Sequence, residues 1–157
     1  MQNGQVRIVD FKATRVAVLE HRGDPVLIDH SVRVFIGWRR SVGLSPKISA
    51  TYNIFYDSPT EAVPENFRLD LCAAIQQDVA PNDAGVVVKV IPGGRCAVLR
   101  HIGSDEGLGE DMFYLCANWL PQSGEERRDF PVYCQRVRFF PEVPEHEAVT
   151  DIFLPLE

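Results

Sequence analysis

The sequence predicts an α+β fold built from a βαββ unit that occurs twice in tandem. The first observation is an internal match, because residues 15–23 and 95–103 are identical at six of nine positions at an offset of 80. The match continues downstream after a slip of one residue, which aligns Trp38 with Trp119. The second observation is that each copy contains the same succession of short β-branched runs and one longer segment with helical periodicity.

The two copies define the predicted domain organisation. Repeat one covers about residues 5–77 and repeat two about residues 85–157, within a single domain of 157 residues. Asp70 of the first copy aligns with Asp151 of the second, in matching apolar segments near the end of each copy. Such matches at nearly constant offset are typical of an internal duplication.

In the first copy, β-branched residues predict strands over VRIVDF, RVAVLEH, ISATYNIFY and FRLDLCAAI. Asp24 and Pro25 favour a helix start after the second strand, because aspartate caps the first N–H groups and proline fits the first turn. The helix is expected to run to about Val42 and to end at Gly43.

In the second copy, the same pattern predicts strands over VVVKV, RCAVLRH, PVYCQRVRFF and VTDIFLPL. A helix is expected near residues 108–120, ended by Pro121. The PGGR segment at 92–95 lies between two strands and does not open a helix. It is therefore interpreted as a hairpin turn and not as a phosphate-binding loop.

Each helix must bury one apolar stripe, which favours one antiparallel sheet with the two long helices on a single face. Two copies related by an approximate two-fold axis would leave a central cleft where they meet. Such clefts are favoured positions for small-molecule sites.

Aromatic side chains from the later strands and the helix ends of both copies could line this cleft. Aromatic groups with polar tips suit an amphiphilic or cationic ligand, and they equally suit an ordinary core between helix and sheet. The candidate ligand-binding residues are Trp38, Tyr52, Tyr114, Trp119, Tyr133, Cys134 and Phe153. Tyr114 lies five residues before Trp119, so in an α-helix these two side chains would not fully share one face.

The charge of the chain argues against several partners. There are 22 acidic and 16 basic residues, and the longest basic clusters are Arg39-Arg40 and Arg127-Arg128. Nucleic-acid-binding surfaces usually carry a basic stripe, and the sequence before residue 6 is too short for a helix-turn-helix. We therefore expect no direct contact with nucleic acid. No run approaches the ~18 apolar residues of a membrane span, so no membrane association is expected either.

The four cysteines lie among apolar neighbours, and no two of them have the spacing of a zinc or redox motif. We expect buried, reduced thiols in a cytoplasmic protein. The cysteines are Cys72, Cys96, Cys116 and Cys134. Because no close cluster of three or four ligands occurs, neither a metal nor a cofactor is predicted.

The histidines do not predict an active site. His21 and His101 are repeat equivalents at strand ends before glycines, which favours bonding to a turn backbone. His146 lies in an acidic, Pro-rich loop and is expected to be solvated. Nothing in the sequence pairs Cys134 with a histidine base, so no catalytic residue is assigned and enzymatic activity is not favoured.

The order of these segments resembles the GyrI-like small-molecule-binding family over about residues 6–156. The resemblance is carried by AVLRHIGS, a helix ending in NWL, a Pro-aromatic strand, the closing DIFLPL, and YNIFYDSP followed by FRLDLCAAI and VIPGGRCAV. It implies two βαββ modules with a central cleft that binds bulky, often cationic or amphiphilic, compounds. The same domain is the effector-binding part of AraC-type and MerR-type regulators.

The resemblance implies two alternative functions. Stand-alone members resemble the gyrase-inhibitory protein, which makes DNA gyrase an implied partner, and a few relatives are linked to hydrolysis of cyclopropane-containing toxins. The family commonly has a Pro-x-aromatic-Glu pattern where this chain has Cys134 in place of the glutamate. This departure weakens both the preference for cations and the hydrolase alternative. Asp70 and Asp151 remain, and the duplication suggests that they serve equivalent structural turns or strand ends.

Overall fold

The computed structural model describes residues 5–157, and its strands agree with those predicted from the sequence. The strands are β1 (Arg7–Phe11), β2 (Thr14–Arg22), β3 (Thr51–Phe55), β4 (Arg68–Ala74), β5 (Val87–Ile91), β6 (Gly94–Ile102), β7 (Tyr133–Arg138) and β8 (Val149–Pro155). Antiparallel pairs join β1 to β6, β2 to β4 and β5, β3 to β4, β6 to β8, and β7 to β8. The α+β class is thus confirmed.

The helices occupy the predicted places but differ in regularity. The first is α1 (Ile28–Ser41), entered through a 3₁₀ turn at Pro25–Leu27. The second is made of α2 (Leu108–Phe113), a π-helical segment (Tyr114–Trp119) and α3 (Leu120–Ser123), entered through a 3₁₀ turn at Asp105–Gly107. Further 3₁₀ turns span Pro64–Asn66 and Glu145–Glu147.

The chain folds as two compact units. The contiguous unit is Ala13–Ile91, and the two-segment unit joins the residues up to Lys12 to Pro92–Glu157. The contiguous unit has the strand order β3-β4-β2-β5 with α1, and the two-segment unit has the order β1-β6-β8-β7 with the second helix. The first strand of each sequence repeat therefore belongs to the unit that holds the rest of the other repeat. The repeat limits of 5–77 and 85–157 and the predicted central cleft stay predictions.

The interpretation of PGGR as a hairpin is wrong. β5 pairs with β2, and β6 pairs with β1 and β8, so the strands on either side of this segment are not partners. The chain passes from one unit to the other between Ile91 and Pro92. The local glycines set the turn, but long-range pairing decides where each strand goes.

Both helices begin at a capping side chain and are followed by a glycine, as the sequence predicted for the first of them. The Asp24 side chain accepts a hydrogen bond from the Val26 N–H at 3.0 Å, and Gly43 has the left-handed φ of 72°. Ser104 caps the second helix in the same way, and Gly124, with φ of 79°, follows its last residue. Such a backbone is strained for any residue with a Cβ.

The prediction that Pro121 ends the second helix is wrong. The helix continues to Ser123 with Pro121 inside the first turn of α3. The Leu120 N–H bonds to the Leu115 carbonyl, five residues back, so the regular i→i+4 ladder is already interrupted where the proline lacks its N–H.

Each sheet has a helix side and a helix-free side. In the contiguous unit, Leu69, Leu71 and Ala73 of β4 pack in one core with Trp38 of α1, so the intervening Asp70 faces the helix-free side. In the two-segment unit, the side chain of His101 on β6 bonds to α2, which defines its helix side. Residues paired directly across neighbouring antiparallel strands share a face.

Candidate functional site

An open groove lies along the π-helical segment of the two-segment unit. Its volume is about 330 Å³, near the small end of the range for ligand pockets. The residues that line it are Tyr114, Asn118, Trp119, Gln122 and Ser123. None of them carries a charge, so the groove combines two aromatic faces with amide and hydroxyl groups.

The π-helical turn brings Tyr114 and Trp119 into one groove. In an α-helix, residues five apart diverge, which is why the sequence predicted that these two would not fully share a face. In a π-helix the hydrogen bonds run from i to i+5, so residues five apart lie one above the other. That prediction is therefore wrong, because the helix type differs from the one assumed.

The sequence did contain a signal for this turn. His21 and His101 align at an offset of 80, whereas Trp38 and Trp119 align at 81. The second helix thus holds one residue more than the first between its cap and its terminal glycine. An i→i+5 turn absorbs one extra residue without changing the ends of the helix, and π-turns occur frequently at functional sites.

Trp38 occupies a different environment from Trp119. Its ring stacks on Phe35 with centroids 5.9 Å apart and planes 9° apart, and only 8% of Trp38 is exposed. It belongs to the core between α1 and the sheet of the contiguous unit. Trp119 is half-buried and lines the groove.

Tyr133 and Phe153 come together on the helix-free side of the two-segment unit. They are directly paired across β7 and β8, and their rings stack 4.9 Å apart at 2°. Phe11 packs edge-on against both rings, at 5.2 and 5.4 Å, and Phe130 against Tyr133 at 6.0 Å. The Tyr133 hydroxyl lies 3.5 Å from the Cys96 thiol. The rings of Phe11, Phe130, Tyr133 and Phe153 thus form one aromatic cluster.

Cys134 and Tyr52 lie apart from that aromatic pair. Cys134 is paired with Ile152, which is paired with Leu99, so it lies on the helix side and away from the stacked rings. Tyr52 belongs to the contiguous unit, where it is paired with Cys72 on the helix-free side. Both Tyr52 and Cys134 are buried, and burial raises the pKa of the Tyr52 hydroxyl.

A charged cluster surrounds Asp70 on the helix-free side of the contiguous unit. Asp70 is fully buried; its Oδ2 accepts hydrogen bonds from Lys89 Nζ at 2.7 Å and from the Tyr56 hydroxyl at 2.8 Å. Arg22 approaches Oδ1 at 3.0 Å but outside hydrogen-bonding alignment, so it contributes charge alone. The Glu20 carboxylate also lies 2.7 Å from Lys89 Nζ.

The pKa values of this cluster follow from its contacts. Burial works to lower the pKa of Lys89, but hydrogen bonds to Asp70 and Glu20 outweigh it and raise the pKa above its ordinary value. Burial and then the bond to Asp70 raise the pKa of Tyr56. The Tyr56 ring also has Arg22 and Arg68 at 5.4 Å and Lys89 at 5.6 Å from its centroid.

The equivalent carboxylate of the two-segment unit has a simpler partner. Asp151 accepts two hydrogen bonds from Arg100, at 2.8 and 2.9 Å, and Arg7 lies 3.8 Å away. The bond to Asp151 raises the pKa of Arg100. Both aspartates are buried strand residues that hold cations of their own unit, in keeping with the structural interpretation.

The two repeat histidines bind turn backbones, as predicted, but they differ at the other nitrogen. His21 Nε2 lies 3.1 Å from the carbonyls of Gly23 and Asp24, and its Nδ1 lies 2.8 Å from Ser31 Oγ. His101 Nε2 lies 2.7 Å from the Ser104 carbonyl, and its Nδ1 lies 2.7 Å from Asp111 Oδ2.

These partners fix the protons of the two rings. A carbonyl only accepts, so Nε2 carries a proton in both histidines. Where Ser31 Oγ donates to Nδ1 of His21, only Nε2 of that ring carries a proton. A carboxylate oxygen faces Nδ1 of His101, so a second proton must lie between the ring and Asp111.

The remaining predictions concern cysteines and possible metal ligands. No described cysteine takes part in a disulfide; Cys116 is half-buried and the other three are buried, and burial raises the pKa of Cys96 and Cys116. His146 is largely exposed, as expected. Among residues 5–157, no group of three or more His, Cys, Asp or Glu side chains is arranged to hold a metal ion. No helix in this range is long and apolar enough to cross a membrane.

The described part of the chain thus joins an α+β fold to an uncharged groove with two aromatic side chains. The model of the GyrI-like small molecule binding domain matches residues 4–157. The chain belongs to this family.

One relative is described as a probable regulator. The probable transcriptional regulator YgiV of Escherichia coli K12 is 37% identical over 152 residues, which cover 96% of this chain and 95% of YgiV. The C-terminal domain of EcmrR has the same fold, with a TM-score of 0.77 at 16% identity and coverage of 100% of this chain and 99% of that domain. In the complex of EcmrR with DNA, the match has a TM-score of 0.77 at 17% identity and covers 98% of this chain but 57% of the EcmrR chain.

Proposed function

We propose that this small-molecule-binding domain takes a compact aromatic or amphiphilic compound in the groove between Tyr114 and Trp119. The observation that carries the proposal is the groove itself, which is open and has two aromatic side chains in its wall. Aromatic faces gain from stacking in addition to burial of apolar area, and the amides of Asn118 and Gln122 can orient polar atoms of the ligand.

The other candidate residues support a structural role better than a direct contact. Trp38 is a core residue, and the rings of Tyr133 and Phe153 stack on each other. For these three, and for Tyr52 and Cys134, ligand contact stays a prediction. Two of the seven candidates, Tyr114 and Trp119, are the ones that we assign to the groove.

The proposal is tested by a thermal-shift screen of compact aromatic compounds. A ligand at about 100 times its dissociation constant adds roughly 2.7 kcal/mol of stability, which is a clear rise in Tm. We expect a hit whose shift disappears in Trp119→Ala. The matched control is Phe113→Ala, because Phe113 lies on the same helix with 68% of its surface exposed and does not line the groove. Equal shifts in wild type and Trp119→Ala would contradict the proposed site.

DNA gyrase and the hydrolase activity stay predictions that rest on the family resemblance. Retention of purified gyrase subunits on the immobilised protein would support the first, and their absence from the bound fraction at micromolar concentrations would refute it.

A Cys134–histidine pair is not favoured, because both ring nitrogens of His21 and of His101 already have other partners.

A cytoplasmic location is part of the proposal. It is supported by four cysteines without a disulfide, since reduced thiols are typical of that compartment. Fractionation of cells that express the full chain would test it, and recovery in a secreted or periplasmic fraction would contradict it.

A further inference from the structure

We infer that the ligand of this domain carries no positive charge, although the family resemblance implies a frequent preference for cations. The inference rests on the proposed function and adds to it the chemical class of the ligand. It follows from where the charged groups of residues 5–157 lie and which of them are already neutralised.

The groove supplies no counter-charge of its own. All five of its lining residues are neutral, and the Ser123 hydroxyl is already used, since it donates to the Leu120 carbonyl at 2.8 Å and accepts from the Glu125 N–H at 3.0 Å. A cation that enters the groove loses part of its hydration, and that loss is offset most strongly by an opposite charge or by strong hydrogen bonds. The aromatic faces of Tyr114 and Trp119 offer a cation–π contact alone.

None of the 22 carboxylates is among the residues that line the groove. Seventeen of the 22 are exposed, and the other five each have a nitrogen of an arginine, lysine or histidine at 3.1 Å or less. These pairs are Asp57–Arg68, Asp70–Lys89, Asp111–His101, Glu125–Arg95 and Asp151–Arg100. A close ion pair has little net charge, so it offers little attraction to a second cation.

Two arginines away from the surface donate hydrogen bonds to neutral oxygen atoms. Arg39 is buried and donates to the carbonyls of Leu44 and Ser49 and to the Thr51 hydroxyl, each at 2.8 Å. Half-buried Arg128 donates to the carbonyls of Leu156, at 3.1 Å, and Arg95, at 3.2 Å.

The charge of these two arginines is not neutralised. Within the part of the chain that the structure describes, neither guanidinium forms an ion pair with a carboxylate. Burial lowers the pKa of Arg39. Among residues 5–157, the charge that lies below the surface without an ion-pair partner is thus positive, and no carboxylate lies there without a cationic partner.

The net charge of −6 resides on the exposed carboxylates and acts differently. It attracts cations to the whole surface at low ionic strength, but a Debye length of about 8 Å at 0.15 M salt screens this attraction. The affinity measured at that salt concentration therefore contains a smaller contribution from surface charge than the affinity measured in dilute buffer.

The test compares two planar probes of nearly the same size, the cation 1-methylquinolinium and the neutral 1-methyl-2-quinolinone, by calorimetry at 0.15 M salt. We expect the neutral compound to bind at least tenfold more tightly. Equal or tighter binding of the cation would overturn the inference and leave the proposed site intact. Failure of both probes to bind would overturn the proposed groove and the inference with it.

Two charge variants sharpen the test. Gln122→Glu places one carboxylate in the groove wall and should raise the affinity for 1-methylquinolinium about tenfold. Gln77→Glu adds the same charge to an exposed residue of the contiguous unit and should leave it unchanged. Equal gains in both variants would show that the overall charge governs binding, and would contradict the inference.

Discussion

The two helices of the duplication share their ends but not their interiors. Both begin at a capping side chain, Asp24 or Ser104, and both are followed by a glycine with positive φ. In the contiguous unit the helix is regular and Trp38 stacks in the core, whereas in the two-segment unit a π-helical turn intervenes and Trp119 lines an open groove. The comparison teaches that two aligned tryptophans can have different roles, one in packing and one in binding.

The largest expected contrast is between the two tryptophans. Trp38→Ala should cost about 3–5 kcal/mol of unfolding free energy, because it removes a large side chain from a packed core. Trp119→Ala should cost about 1 kcal/mol or less, because its ring is half-exposed. Urea denaturation of both variants measures the difference, and equal losses would mean that Trp119 is also a core residue.

The next contrast concerns the two buried aspartates. Asp70→Asn should destabilise by about 3 kcal/mol, since it removes the charge of a fully buried carboxylate that accepts hydrogen bonds from both Lys89 and Tyr56. Asp151→Asn should cost less, because Arg100 is 47% exposed and can be solvated. Urea denaturation would again measure the unfolding free energies. A larger loss for Asp151→Asn would contradict the view that Asp70 contributes more to stability through its partners.

A smaller difference separates the two histidines. Asp111→Ser would give His101 the same partner that His21 has in Ser31, at a cost of about 1–2 kcal/mol for the lost charged hydrogen bond. In the wild-type protein, ring ¹⁵N shifts should show one protonated nitrogen in His21, and should show the Nδ1 of His101 protonated or strongly hydrogen-bonded as well. The variant should make the two spectra alike. Identical spectra in the wild-type protein would refute the proton assignment.

The smallest expected effect is on stability at alkaline pH. Burial and the bond to Asp70 raise the pKa of Tyr56 above its ordinary value of 10.0, and burial raises that of Tyr52. A tyrosine with a raised pKa in the folded state stabilises fully below pH 10, and this contribution is lost as pH rises through the folded value. Unfolding free energies of wild type and Tyr56→Phe should therefore converge above pH 10, and a constant difference would contradict the shift.

Local features of the fold could be predicted from the sequence, whereas long-range ones could not. Capping by Asp24 and the glycine at 43 act within one turn of the chain, so the residue types suffice. The pairing of β5 with β2 depends on residues some 70 positions apart, and the glycines of PGGR contain no information about it. The π-helical turn is intermediate, because it is visible only as a slip of one residue between the repeats.

The candidate site was predicted in part for the same reason. Residue type pointed to Tyr114 and Trp119, but their common groove depends on the hydrogen-bonding pattern of the turn between them. Tyr133 and Cys134 are neighbours in sequence but lie on opposite faces of the sheet, as alternation along a strand requires. The sequence could not reveal which face was covered by a helix.

The most direct test of the central claim is the response of the two indole N–H signals to a bound ligand. The protein has two tryptophans, which Trp38→Phe and Trp119→Phe assign in ¹H–¹⁵N spectra. On titration with 1-methyl-2-quinolinone, we predict that the Trp119 signal shifts in a saturable way while the Trp38 signal stays in place. A ligand that binds by calorimetry but moves only Trp38, or neither signal, would contradict the assignment of the groove as the binding site.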